Sequence, residues 1–136
     1  MRLKLSLLAC LAGLPISICP AAGPEPIRIG VTCPFTGGSS PMGESMRNGI
    51  RMATEEINWK GGILGRPIEL IERDDEANPD KGRTFAEELT GKARVVATIG
   101  SCNTGVVLKT IDLYQKAKVP LLVPVATGVA ITTTYA

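Results

Sequence analysis

Short apolar runs alternate along the chain with segments of helical periodicity. Four runs have the length and composition of strands, and they cover residues 27–32, 68–73, 94–99 and 119–125. The third contains an unbroken Val-Val-Ala-Thr-Ile stretch, which is typical of a strand covered on both faces. This order of elements predicts an α/β fold, an open parallel sheet with helices on both faces.

The segments between these runs each predict one helix. Ser40-Pro41 has the cap-and-proline pattern of a helix start, and Gly61-Gly62 ends that helix. Asn78-Pro79 repeats the pattern, and a third helix is predicted near Thr104. The positions predicted to be buried recur at helical spacing, and they are Met42, Met46, Ile50, Ala53 and Ile57, then Phe85, Ala86 and Leu89, then Val107, Leu108, Ile111 and Tyr114.

No helix is predicted after the fourth strand, where the sequence runs through residues 131–136. A doubly wound domain would continue beyond that strand, so we expect a truncated or interrupted reading frame. A partial lobe leaves a ligand open to water and an apolar flank exposed. The chain alone is therefore expected to bind solute weakly and to be marginally stable.

The first 22 residues have the layout of a secretory signal peptide. Residues 1–4 are a short basic start, residues 5–18 are apolar, and Ala21 and Ala22 suit cleavage. The apolar part is too short to span a bilayer. We expect export to the periplasm, with residues 23–136 as the mature domain. Leu7-Leu8-Ala9-Cys10 offers a lipoprotein alternative, but it comes early in the apolar segment.

Charge and composition exclude several function classes. The net charge of +2 belongs to the leader, because without Arg2 and Lys4 the 15 basic residues become 13, equal to the 13 acidic ones. A neutral chain with 4% aromatic residues argues against nucleic-acid binding. The sequence has no histidine, which excludes Ser-His and Cys-His nucleophilic pairs, and it has no zinc-ligand spacing. We therefore expect no enzyme, no metal and no cofactor.

The alternative that would make this protein an enzyme is a dinucleotide-binding fold. A glycine-containing loop follows the first strand, and Asp74 and Asp75 end the second, where a ribose-binding acid would lie. Residues 30–43 contain no G-x-G-x-x-G, however, and Pro34 and Pro41 interrupt a tight glycine turn. The simpler interpretation makes the two acids a solvated loop or a cap for the second helix.

Cys33 and Cys102 remain after the leader, which holds Cys10 and Cys19. An even pair in an oxidising compartment can form a disulfide. The alternative is two small buried thiols at strand ends.

Loops rich in Gly, Ser and Thr follow three of the predicted strands, at residues 36–40, 100–105 and 126–128. Small residues allow a backbone to approach a ligand closely, and their hydroxyl and N–H groups can hold a charged head group. Ligands bind at the carboxyl ends of strands in open parallel sheets. The sequence therefore predicts a binding site without catalytic groups.

Four motifs, in this order and spacing, resemble those of the periplasmic branched-chain amino-acid-binding proteins. They are Gly30-Val31-Thr32-Cys33-Pro34-Phe35-Thr36-Gly37, the segment 53–65 ending in Gly-Gly-Ile-Leu-Gly, Asp74-Asp75 before Asn78-Pro79, and Val123-Pro124-Val125-Ala126-Thr127. The resemblance implies part of the N-terminal lobe of a type I periplasmic-binding-protein fold, with strand order 2-1-3-4. It implies the solute receptor of an ABC importer, with a membrane permease as partner.

The resemblance also implies where an amino acid would bind. Thr104 and nearby N–H groups at the third helix would meet the α-carboxylate, helped by the helix dipole. Val125 would accept from the ammonium through its carbonyl, and Thr127 would offer its hydroxyl and N–H. Met42 would lie over the ligand. Two further residues are expected to line the cleft, Ser101 and Asn103.

Structural alternatives exist for each of these residues. Thr104 could be a plain helix cap and Thr127 an ordinary turn residue. Met42 could serve in packing, and Ser101 and Asn103 could merely close their loop.

The same lobe also occurs in sensors, so a ligand-sensing module of a signalling receptor is the alternative function. The sequence does not identify which solute is bound. Leu, Ile and Val are the default in the family, and relatives carry amides, urea and aromatic acids.

Overall fold

Four parallel strands form the sheet of the computed structural model, which describes residues 23–133. They are β1 (Ile27–Cys33), β2 (Ile68–Asp74), β3 (Ala97–Gly100) and β4 (Leu121–Leu122), in the order β2-β1-β3-β4. The predicted parallel sheet and its strand order are confirmed. The predicted signal peptide and its cleavage site lie outside the described residues.

Helices connect the strands by crossovers. They are α1 (Ser40–Trp59), α2 (Pro79–Thr90), α3 (Thr104–Ala117) and a final turn, α4 (Ala130–Thr133). Right-handed crossovers place α1 on one face of the sheet, and α2 and α3, which pack on each other, on the opposite face. The expectation that no helix follows the fourth strand is wrong, because α4 begins there.

Helix starts follow local sequence signals. The side-chain oxygen of Asn78 accepts hydrogen bonds from the N–H groups of Asp80 and Lys81, at 2.9 and 3.2 Å, so the predicted cap of α2 is confirmed. The cap of α1 is Ser39 rather than Ser40, and its side chain makes no capping bond.

Two strands are shorter than predicted. β3 starts at Ala97 rather than at Arg94, whose φ of 52° is incompatible with an extended strand. β4 has only two residues, because Pro120 and Pro124 on either side have no N–H to donate to a ladder.

Burial is concentrated around α2 and α3. The fully or nearly fully buried apolar side chains there are Ala86, Leu89, Val106, Val107 and Tyr114. The predicted phase of α3 is partly wrong, since Leu108 and Ile111 are only half-buried. Phe85 of α2 is also half-buried.

The predicted apolar face of α1 is not a buried face. Gly43 is the one buried residue of the helix, while Met42 and Ile57 are 44% and 36% exposed and Ala53 is exposed. A Cβ atom at Gly43 would collide with the carbonyl oxygen of Pro34, so glycine permits the close approach of α1 to the end of β1.

A disulfide joins Cys33 to Cys102, with a Cα–Cα distance of 5.3 Å. It links the last residue of β1 to the loop after β3. The two neighbouring strands are thus tied covalently at their carboxyl ends.

None of the helices within residues 23–133 has the length and apolar character needed to cross a membrane.

Candidate functional site

Three loops meet at the carboxyl edge of the sheet. They are the β1–α1 loop at residues 34–39, the β3–α3 loop at residues 101–103 and the β4–α4 loop at residues 123–129. Parallel strands bring these loops to one edge, where open α/β sheets bind ligands.

An open cavity of about 510 Å³ lies between the start of α1 and the β4–α4 loop. Its wall is mostly apolar and consists of Pro41, Met42, Ser45, Met46 and Val125. The structure therefore brings Met42 and Val125 together, two residues for which the sequence predicts ligand contact. Such a wall suits the apolar part of a small ligand.

Thr127 lies in a second hollow, of about 370 Å³, formed by the β4–α4 loop and the first turn of α4. Val125 and Thr127 belong to the same loop but open onto different hollows. The described residues thus do not gather every predicted contact into one enclosed pocket.

Thr104 connects two of the loops. Its hydroxyl oxygen accepts a hydrogen bond from the N–H of Gly128 at 3.2 Å. A Cβ atom at Gly128 would collide with the side chain of Thr104, so only glycine allows this approach. Thr104 is the first residue of α3 rather than its cap, which is Asn103.

The N-terminus of α3 faces the same edge. The carbonyl of Asn103 accepts from the N–H groups of Val106 and Val107, both at 3.1 Å. The first amides of a helix have no acceptor within the helix, and the helix dipole favours negative charge at this end. Thr104 and Gly105 therefore present their N–H groups where a carboxylate would be stabilised.

Ser101 and Asn103 line neither cavity. Ser101 is buried, and its hydroxyl lies 3.1 Å from the hydroxyl of Thr32 in β1. The side chain of Asn103 makes no capping bond, and its Oδ1 is buried without a hydrogen-bond partner. Ser101 thus faces the sheet rather than the cleft.

Asp74 holds the β1–α1 loop. Its carboxylate accepts hydrogen bonds from the Phe35 N–H at 2.8 Å, the Thr36 hydroxyl at 2.6 Å and the Glu76 N–H at 3.0 Å. Desolvation acts to raise the pKa of Asp74, but these hydrogen bonds outweigh it and the pKa is lowered.

Asp75 is fully buried, so its interpretation as a solvated residue or a helix cap is wrong. Its Oδ1 accepts from the Ala77 N–H at 2.9 Å, while Oδ2 has no hydrogen-bond partner. Burial raises the pKa of this carboxyl, and the hydrogen bond from the Ala77 amide only partly opposes that effect.

Tyr114 of α3 is a second buried group with a shifted pKa. Burial raises the pKa of Tyr114 to about 12, and the negative charge of Asp75 acts in the same direction. The burial of Tyr114 was predicted from helical periodicity, whereas the burial of Asp75 was not. Asn78 caps α2, so neither Asp74 nor Asp75 is needed as the cap of that helix. The Asn78-Pro79 pattern was therefore a sequence signal that the two acids serve elsewhere.

Between residues 23 and 133 no group of three or more His, Cys, Asp or Glu side chains is placed to hold a metal ion.

Comparison with known proteins gives a consistent result. The model of the periplasmic binding protein family matches residues 26–136. Leu/Ile/Val-binding protein homolog 2 of Brucella abortus is 36% identical over 102 residues, which are 75% of this chain and 27% of that protein.

Solved structures share the fold. The isoleucine complex of the branched-chain amino acid transporter substrate-binding protein LivJ from Streptococcus pneumoniae has a TM-score of 0.77 and 28% identity, over 81% of this chain and 32% of that one. An ABC transporter solute-binding protein from Rhodopseudomonas palustris, in complex with 3,4-dihydroxy benzoic acid, has a TM-score of 0.72 and 31% identity, over 78% and 29%.

The chain thus spans less than a third of the length of these relatives. The match nevertheless runs through all four strands and the three loops at their carboxyl ends. This chain belongs to the periplasmic binding protein family.

Proposed function

We propose that this chain forms part of the solute-binding lobe of an extracytoplasmic receptor for an ABC importer. The solute is a small carboxylate with an apolar body, of which a branched-chain amino acid is the leading example. One observation carries the proposal. An apolar hollow with Met42 and Val125 in its wall lies at the sheet edge where Thr104 begins α3.

Each part of an amino acid has a complementary group at this edge. The α-carboxylate would accept from the first amides of α3 and from the Thr104 hydroxyl. A hydroxyl that accepts one bond still has its own hydrogen to donate. Because the Gly128 N–H already donates to Thr104 Oγ1, that hydrogen is available for a carboxylate. The Val125 carbonyl would accept from the ammonium, and Met42 would contact the apolar side chain.

Thr127, Ser101 and Asn103 have secondary roles in this proposal. Thr127 is exposed on the β4–α4 loop and would meet the ligand's polar head after a small loop movement. Ser101 and Asn103 would shape the loop that carries Thr104, since neither lines a cavity.

The ligands of two relatives support the solute class. One relative was solved with isoleucine and another with 3,4-dihydroxy benzoic acid. Both ligands carry a carboxylate, in isoleucine on an aliphatic body and in the benzoic acid on a dihydroxylated aromatic ring. A carboxylate site at α3 beside an apolar hollow would suit either shape.

Ligand-observed and protein-observed NMR test the proposal directly. L-Leucine at millimolar concentration is expected to shift the amide signals of Thr104, Gly105 and Val125. Leucinamide, which lacks the carboxylate, should leave the α3 amides unshifted, and N-acetyl-L-leucine should leave Val125 unshifted. The absence of any shift at these three residues with leucine, valine and benzoate would reject the proposal.

Substitution of the site adds an independent test. Thr104→Ala and Thr127→Ala are each expected to weaken binding by roughly 1–3 kcal/mol, because each removes a hydrogen bond to a charged group. Ser39→Ala, on the same edge but without an assigned contact, is the control. Binding equal to that of Ser39→Ala would show that both threonines are structural.

Transport separates the importer from a ligand-sensing module of the same fold. Deletion of the gene should abolish uptake of the labelled solute if the protein serves an importer and its permease. Unchanged uptake with a lost transcriptional or motility response would favour the sensor. Sequencing the N-terminus of the periplasmic protein tests the proposed removal of residues 1–22.

A further inference from the structure

Three long side chains occupy strained backbone positions at the amino edge of the sheet, the edge at which its strands begin. Leu64, Arg94 and Lys118 have φ values of 52°, 52° and 56°. Each lies in the segment that leads into a strand, and the strands are β2, β3 and β4 respectively. Because the strands are parallel, these segments share one edge, opposite to the edge at which the solute is proposed to bind.

Local stability does not explain these three residues. A left-handed backbone costs free energy for residues with a Cβ atom, and asparagine tolerates it best. All three side chains are exposed, Leu64 by 96%, so burial does not offset the cost. Backbone strain that packing does not repay points to a function for the residues that carry it.

Leu64 lies at the tip of a rigid hairpin. The residues on either side of Leu64-Gly65 exchange two backbone hydrogen bonds, at 2.9 and 3.0 Å, and both central residues have positive φ. The guanidinium group of Arg66 donates to the carbonyl oxygens of Glu25 and Pro26, at 2.7 and 3.3 Å. The hairpin is therefore fixed to the chain that enters β1, and it presents the leucine to solvent.

Trp59 adds an aromatic side chain to the amino edge. It is the last residue of α1 and is 86% exposed. Its neighbour Asn58 exchanges two hydrogen bonds with the backbone of Ile68, at 2.9 and 2.7 Å, which fixes the end of the helix to the start of β2. Trp59 and Leu64 are thus apolar side chains in water on a backbone that is held in place.

Cations share this edge with the apolar side chains. Lys116 and Lys118 lie at the end of α3, and Arg94 precedes β3. All three are exposed, and within residues 23–133 none of them forms a salt bridge. The helix dipole favours lysines at the end of α3, but it gives no reason for exposed apolar side chains at the same edge.

Acidic residues do not cancel this positive charge. Glu56 and Glu69 lie at the same edge, but each is paired with a cation of its own, Lys60 at 2.5 Å and Arg28 at 3.1 Å. The Arg66 guanidinium is bonded to carbonyl oxygens, which do not neutralise it. The amino edge therefore combines unpaired cations with a small apolar tip.

We propose that the amino edge binds the surface of an anionic lipid bilayer. Trp59 and Leu64 enter the region between headgroups and acyl chains, while Arg94, Lys116 and Lys118 attract the anionic headgroups. Charge complementarity favours lipid over a protein partner. Protein interfaces are depleted of lysine and need a contiguous contact area, whereas a lipid surface accepts separated cations around a small apolar tip. This binding does not depend on the proposed function and leaves the carboxyl edge free for a solute.

The fluorescence of Trp59, the one tryptophan of the chain, reports contact with lipid directly. Vesicles of equal parts phosphatidylglycerol and phosphatidylcholine should shift its emission to the blue, and brominated acyl chains should quench it. Pure phosphatidylcholine vesicles should do neither, and about 0.5 M salt should weaken the binding severalfold. An unchanged spectrum with the anionic vesicles would overturn the proposal.

Asparagine substitutions separate lipid binding from folding. Leu64→Asn should weaken cosedimentation with the anionic vesicles by roughly tenfold, and Arg94→Asn and Lys118→Asn by roughly fivefold each. Because asparagine tolerates positive φ, all three variants should melt at or above the temperature of the parent. Val129→Asn, at an apolar residue that is 74% exposed at the opposite edge, is the matched control. Variants that melt higher but keep the lipid affinity of the parent would contradict the proposal.

Two further comparisons exclude other sources of binding. The full chain is used throughout, so any lipid affinity of the apolar leader is common to the parent and its variants. Poly-L-glutamate then replaces the vesicles as a model of an acidic protein surface. An equal blue shift with this polymer, unaffected by Leu64→Asn, would assign the edge to an acidic protein and overturn the lipid proposal. Because no solute is needed, failure of the proposed function would leave this test intact.

Discussion

The two faces of the sheet are built differently. On the α2–α3 face, Leu89, Val106 and Val107 are fully buried. On the α1 face, Met52 and Trp59 are 70% and 86% exposed, and the helix buries only a glycine. One face is therefore held by apolar packing, and the other depends on few contacts.

Small residues and polar contacts explain the difference. Gly82 lets α2 approach α3, because a Cβ atom there would collide with Val106. α1 is held at its far end by Asn58, whose amide donates to the Ile68 carbonyl at 2.9 Å and accepts from the Ile68 N–H at 2.7 Å. Arg51 adds an exposed pair with Glu72 at 2.7 Å. Similar helical periodicity in α1 and α2 therefore does not imply similar burial.

The largest difference between the faces should follow truncation of a core side chain. Leu89→Ala is expected to lower the free energy of unfolding by about 2–5 kcal/mol, because it leaves a cavity between α2 and the sheet. Ile57→Ala in α1 should cost less than about 1 kcal/mol. Urea denaturation measures both, and equal losses would refute the asymmetry.

Removal of the disulfide should affect both faces, since it joins strands that they share. The double variant Cys33→Ser, Cys102→Ser is expected to lose about 2–4 kcal/mol, because the unfolded chain regains the freedom of a loop that spans 69 residues. Thiol titration of the protein, purified without reductant and then denatured, should find no free thiol. Two free thiols would mean that the cysteines are not bonded in the cell.

Glycine positions within α1 offer a sharper comparison. Gly43→Ala should destabilise the protein by about 1–3 kcal/mol, since the new methyl group meets the Pro34 carbonyl. Gly49→Ala has open space and should stabilise the helix by about 0.5–1 kcal/mol. Thermal melting of the two variants gives the comparison, and shifts of the same sign would contradict the packing of α1 through Gly43.

The smallest expected effect is the pH dependence of stability, which differs in sign between the two acids. The pKa of Asp75 is raised by burial, so its contribution is present below the unfolded pKa of about 4 and is lost as the pH rises through the folded value. The pKa of Asp74 is lowered despite desolvation, so its contribution is present above the unfolded pKa and is lost as the pH falls through the folded value.

Stability profiles of Asp74→Asn and Asp75→Asn, measured between about pH 3 and about pH 8, separate these effects. Relative to the parent, the Asp75 variant should gain stability as the pH rises. The Asp74 variant should lose less than the parent as the pH falls. Parallel profiles for the parent and the Asp75 variant would show that this carboxyl titrates normally.

Local signals account for the part of the fold that could be predicted. β1, β2 and the Asn78 cap depend on neighbouring residues alone, and all three lie within one or two residues of their predicted places. Which face of α3 is buried depends on hydrogen bonding as well as on apolar periodicity. Thr110 is buried because its hydroxyl donates to the Val106 carbonyl at 2.9 Å, a polar residue satisfied by its own helix.

The site was harder to predict because its contacts are distant in sequence. Thr104 and Gly128 meet only after α3 and β4 have folded back, and Ser101 meets Thr32 only where β3 lies beside β1. Periodicity and composition contain no information about such pairs. The resemblance to a known family predicted site residues at the carboxyl edge of the sheet, and it did not reveal that the Ser101 side chain is buried beside Thr32.

The brevity of β4 affects how copies of this protein meet one another. β4 is the outer strand of the described sheet, and its Leu122 side chain is 62% exposed. An apolar edge strand is normally a template on which another chain can add a strand. Prolines on both sides limit this one to two residues, too few for stable strand addition. The two prolines thereby hinder the addition of a strand from another copy at this exposed, apolar edge of the described sheet.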